Sequence, residues 1–144
     1  MDARLSYRAA AAQGASPLRR VILLYDQAIS DLQSALSALA RGDIEGRTRL
    51  INHALSVIGC LQATLNKDQG GQVADNLDRF YGQMRAGLLR AQMRQSEAGI
   101  RRQMADLIKV REAWDQIERL QTAPASQPAT AIERGLSSRA EWRA

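Results

Sequence analysis

Between Ser16 and Gly42 the apolar residues Leu18, Val21, Tyr25, Ala28, Leu32, Ala35 and Leu39 recur at alternating steps of three and four. That spacing keeps one stripe of an α-helix against a partner and is the seam of a left-handed helical bundle. Ser16 predicts the N-cap, Pro17 the first helical position and Gly42 the stop, giving a first helix over about residues 17–41. Three more stretches repeat the pattern. Asp43 caps a second helix with the seam Ile44, Arg47, Ile51, Ala54, Ile58, Leu61 and Leu65, ending near Asn66. The pair Gly70–Gly71 breaks the chain, and a third helix follows with Val73, Leu77, Phe80 or Tyr81, Met84, Leu88 and Ala91. Ser96 caps a fourth, with Ile100, Gln103 or Met104, Leu107, Val110, Trp114, Ile117 and Leu120 on one face. Rods of matched length joined by short connections predict an all-α, antiparallel four-helix bundle.

A length of 144 residues is enough for one core without metals or disulfides. The expected organisation is one domain over residues 1–121, its first fifteen residues an N-terminal plug segment, followed by a flexible tail over 122–144. In that tail Ile132, Leu136 and Trp142 are the material for one short helix. The lone Cys60 has no partner in the chain and reads as a small packing residue beside the seam, which fits a reducing cytoplasm. No apolar run approaches the roughly 20 residues that cross a bilayer.

Reaction chemistry is thin. One histidine cannot supply a metal centre of the Glu-x-x-His kind, the glycine pair lacks phosphate-loop spacing, and no cofactor is expected. The chain is therefore read as a non-enzyme. Two other classes stay open. His53 falls on the outer side of the second helix, where a phosphotransfer domain carries its histidine, but the lysine and glycine that typically follow are replaced by "HALSVIG". The net charge of +5 suits acidic partners, and Arg85, Arg90, Arg94, Arg101 and Arg102 gather around the turn between the third and fourth helices. Asp75, Asp78, Glu97 and Asp106 interleave with them, so solvated helix faces are favoured over a nucleic-acid groove.

The run Val21, Ile22, Leu23, Leu24, Tyr25 turns fully around the first helix. Ile22 and Ile29 widen the seam, whereas Leu23 and Leu24 fall outside it and need cover from neighbouring helices, a second copy, the N-terminal tail or a partner; leaving each wet forgoes about 1.5–3 kcal/mol.

Four ordered segments then resemble one family. "YRAAAAQGASPLRRVILLYDQAI", "INHALSVIGCLQATLN", "GGQVADNLDRFYGQM" and "REAWDQI" are similar to the successive helices of the flagellin-specific export chaperones, the FliS family. The resemblance implies a cytosolic, monomeric or weakly self-associating bundle. Such a protein binds the C-terminal segment of flagellin, prevents premature polymerisation and supports delivery to a component of the flagellar type III export gate. It further implies that Tyr7 plugs the groove in the free protein. Leu18, Ile22 and Tyr25, with Leu23 and Leu24, then make the first-helix wall, and Asn76, Leu77 and Tyr81 the facing wall. Asp26 is expected to be exposed or bonded near its own helix, and Leu107 and Trp114 to be core.

Overall fold

The computed structural model describes residues 16–121, which form four helices: α1 (Pro17–Ala40), α2 (Ile44–Ala63), α3 (Lys67–Arg94) and α4 (Glu97–Gln121). The predicted caps are in place. The Ser16 hydroxyl accepts from the Arg19 amide at 3.1 Å, Asp43 from Gly46 at 2.9 Å and Ser96 from Gly99 at 2.9 Å. Each satisfies a backbone donor that a helix start leaves open. Gly42, at φ +71°, makes the left-handed reversal between α1 and α2.

The start of α3 differs from expectation. The Asn66 side chain accepts from the Gln69 amide at 3.1 Å, and the Gly70 amide reaches the Asn66 carbonyl at 2.7 Å, so one helical turn forms before the glycines. Gly71 (φ 54°, ψ −131°) then kinks the helix instead of ending a loop.

The helices form a ring in which α1 packs on α2 and α4, and α3 completes the contacts of both α2 and α4. Thr48 meets Gln92 and Gln62 meets Asp78 across α2 and α3, fourteen residues apart on each helix in opposite directions, which fixes the antiparallel register. Ala28, Ala35 and Ala38 on α1 and Ala54 on α2 are fully buried; their small side chains let these two helices lie close. Around them Ile22, Leu32, Ile51, Ile58, Leu61, Met84, Leu88, Ile100 and Leu107 fill the interior.

Several seam positions shift. In α1 the fully buried residue of the first turns is Ile22, while Leu18 and Val21 are half-buried. Ile44 and Leu120 are exposed because they sit at helix ends beyond the reach of a neighbour. Cys60 is exposed on α2 and is not a packing residue: Leu61 next to it takes the inward position. Two charged side chains are buried instead. Asp31 accepts from Gln27 at 2.8 Å and pairs with His53 Nδ1 at 2.6 Å, and Arg47 donates through Nε to Gln92 at 3.0 Å. Partners on other turns and other helices supply what water would have given them. His53 is thus held to α1 by a carboxylate.

Candidate functional site: an apolar furrow between α3 and α4

The bundle interior is tight at one end and open at the other. Where α3 runs into α4, Gly87 and Gly99 bring the two backbones together: a Cβ on Gly87 would strike Gln103, and one on Gly99 would strike Ala91. Toward the opposite end the helices part. There α4 still carries its apolar stripe, yet only Ile100 and Leu107 of that helix are buried, and Val110, Trp114 and Ile117 remain half-buried. Val73, Leu77 and Phe80 answer them from α3. The space between is a furrow of about 600 Å³, rimmed by Gln72, Asn76 and Lys109 and floored by Ala113. A second depression of about 340 Å³ adjoins it, sharing Val73, Leu77 and Trp114 and reaching Val21 on α1 and Leu65 beyond α2.

Below the furrow, the Tyr25 hydroxyl of α1 and the Tyr81 hydroxyl of α3 share a hydrogen bond of 2.7 Å, across the diagonal of the ring. Their rings are 6.3 Å apart and tilted by 58°. Trp114 Nε1 is buried without a hydrogen-bond partner, the one such side-chain atom among the described residues, and its proximity counts against the burial effect on Tyr25. Burial pushes both phenols above their ordinary range, with Tyr25 adding to the shift of Tyr81. Because the fold favours the protonated phenols, their contribution to stability is intact below the unfolded midpoint of about pH 10 and declines as pH rises above it. An alkaline absorbance titration should therefore show two of the three tyrosines ionising only as the protein unfolds. Ionisation of all three at the ordinary phenol midpoint, with helicity retained, would contradict this placement.

The nine residues singled out in the sequence are distributed as follows. Asn76 and Leu77 line the furrow directly. Asn76 Oδ1 accepts from Gln72 at 2.9 Å and Arg79 at 3.2 Å, so its amide NH2 is what it has left to offer a partner. Tyr81 lies at the inner edge of the smaller depression, almost wholly buried. Tyr25 and Ile22 are fully buried; the Tyr25 hydroxyl is a structural bond to Tyr81 and not a handle at the rim. Leu18, Leu23 and Leu24 are half-buried, and Leu24 packs on the core. Tyr7 lies outside the described residues. Asp26 accepts from Arg111 Nε at 2.6 Å, an inter-helix bond between α1 and α4 and not a local one. Leu107 is core as expected; Trp114 packs against the core, half-buried, and is also a shared wall of both depressions.

Sequence reasoning assigned Val73, Phe80, Val110 and Ile117 to core seams and missed them as furrow walls. One signal was available: the α4 stripe continues more than four turns beyond Ile100, to Ile117 and Leu120. Among the described residues no group of three or more His, Cys, Asp or Glu is placed to hold a metal ion, and no helix is long and apolar enough to cross a membrane. What the furrow can do is bury apolar side chains. Val73 to Phe80 spans about 10 Å at 1.5 Å per residue, matching two turns of an amphipathic helix with anchors at i, i+3 or i+4, and i+7.

The pattern of the family described as flagellar protein FliS matches residues 1–121. The flagellar secretion chaperone FliSB of Pseudomonas aeruginosa is 34% identical over 103 residues, 72% of this chain and 82% of that protein. The flagellar secretion chaperone FliS of Salmonella typhimurium is 33% identical over 108 residues, covering 74% and 80%. That of Vibrio cholerae is 29% identical over 103 residues, covering 72% and 76%.

Proposed function

Since this chain belongs to the FliS family of flagellar proteins, we propose that it is a cytosolic flagellar secretion chaperone that lays the C-terminal segment of flagellin into the α3–α4 furrow. The observation that carries this reading is the furrow itself, an apolar trough between α3 and α4 beside the buried Tyr25–Tyr81 hydrogen bond. A client segment disordered when free would supply the missing apolar layer, and its ordering entropy would keep the complex releasable. Masking that segment stops flagellin from polymerising early and leaves it fit for handover to an export gate component.

Calorimetric titration with intact flagellin and with flagellin lacking its C-terminal segment tests the proposal. Binding to the first and loss of measurable binding to the second is the expected result. Equal affinity for both, or none for either, would remove flagellin's C-terminus as the client.

A further inference from the structure

The face that bears the furrow also holds a line of cations. Asn76, Gln83 and Arg90 follow one another at seven-residue spacing on α3, with Arg79 and Arg94 one turn beyond the first and last of them. Residues so spaced share a helix face. On α4, Ala113 and Lys109 of the furrow are continued by Asp106 and Arg102 at steps of three and four, on the side that meets α3. Arg79, Arg90, Arg94, Arg102 and Lys109 are all exposed, and none is in an ion pair among the described residues. Their neighbours differ: Arg101 pairs with Glu97, Arg111 with Asp26 and Arg119 with Asp115, all away from this face. Asp106 is the one acid in the strip.

We propose that this strip is the electrostatic half of the client site, and that the segment it accepts is an amphipathic helix whose apolar stripe fills the furrow while acidic residues beside that stripe meet the arginines. The inference rests on reading the furrow as a client site and adds the charge pattern of the client. The occupant follows from complementarity: an apolar trough whose face continues past its closed end into exposed guanidinium groups outside any ion pair among the described residues is matched by a chain that brings both apolar side chains and carboxylates. A phosphate backbone would satisfy the arginines but leave the trough empty, and the strip offers no row of exposed aromatic rings on which bases could stack. Arg79 to Arg94 spans about 22 Å at 1.5 Å per residue, so client charges should be spread along the helix and not clustered.

The test uses two designed amphipathic peptides with the same leucine stripe, one flanked by glutamates and the other by glutamines, titrated against the full chain. The glutamate peptide should bind about tenfold more tightly at low salt, and the preference should fade as the Debye length falls below about 8 Å. An Arg90→Gln, Arg94→Gln, Arg102→Gln variant should lose the preference and keep its melting temperature, since these side chains make no ion pair or hydrogen bond among the described residues. Equal affinity for the two peptides, or an undiminished preference in the variant, overturns the proposal. Duplex DNA displacing the glutamate peptide also overturns it, assigning the arginines to nucleic acid. A parallel titration with flagellin's C-terminal segment separates the two readings. Failure of flagellin alone removes the client and leaves the strip standing, whereas salt-independent flagellin binding, unaffected in the variant, removes the strip and leaves the client.

Discussion

A Val73→Asp, Ile117→Asp double variant should bind flagellin's C-terminal segment at least about a hundredfold more weakly than the native chain, while melting at nearly the same temperature. These residues face each other across the furrow, one on each wall. Both are half-buried, and neither belongs to the set of side chains packed on the core. Each would contribute about 1.5–3 kcal/mol of apolar burial to a complex, and about 1.4 kcal/mol is tenfold in affinity. A buried carboxylate adds a desolvation penalty on top. Calorimetry of binding, together with thermal melts, reads both halves of the expectation. Native affinity in the folded double variant would place the client elsewhere on the bundle.

The second large effect falls on stability. Tyr81→Ala should destabilise the protein by about 3–5 kcal/mol, as expected for truncating a fully buried aromatic residue. Against a total stability of about 5–15 kcal/mol for a single domain, that brings the bundle close to its threshold. The hydroxyl pair can be resolved by milder changes. Tyr81→Phe strands the Tyr25 hydroxyl, and Tyr25→Phe strands the Tyr81 hydroxyl and takes a polar neighbour from Trp114; each should cost about 1–3 kcal/mol, Tyr25→Phe the more. The double phenylalanine variant should cost clearly less than the sum, because no hydroxyl is then left without a partner. Urea melts of the four proteins measure this directly. Additive losses would mean that the hydroxyls do not depend on each other across the ring.

Much of the fold is encoded locally and could be read that way. Ser16, Asp43 and Ser96 act through a backbone amide three residues ahead, so a short window suffices to find them. The same holds for the steps of three and four that set helix number and length. The turn before Gly71 was missed because Asn66 is a strong cap with glycines only four and five residues later, and the glycine signal reads as the stronger stop. In α1, periodicity could not decide which side of a helix apolar all round faces inward. The neighbours decide it, and they chose Ile22 over Leu18 and Val21.

The site was legible in part. An excess of apolar surface could be inferred from the sequence, but the place where it opens depends on tertiary contacts, among them the close approaches of Gly87 to Gln103 and Gly99 to Ala91 that exist only after folding. Asn76 and Leu77 were found through the family resemblance, while Val110 and Ile117 passed as ordinary seam residues. Leu23 and Leu24, which first signalled the excess, are half-buried on α1 and line neither depression. Arg47 was legible as a seam position but its partner Gln92 was not, and Asp31 could not be expected inside, because His53 comes to it from a distant position in the chain.

The central claim is that the α3–α4 furrow receives the client. Amide and indole chemical shifts of the full chain, followed as flagellin's C-terminal segment is added, test it most directly. The largest changes should fall on Val73, Leu77, Val110 and Ile117 and on the unpartnered Trp114 indole N–H, with the outer faces of α1 and α2 unmoved. Shifts confined to those outer faces, with the Trp114 signal unchanged at saturation, would contradict the account.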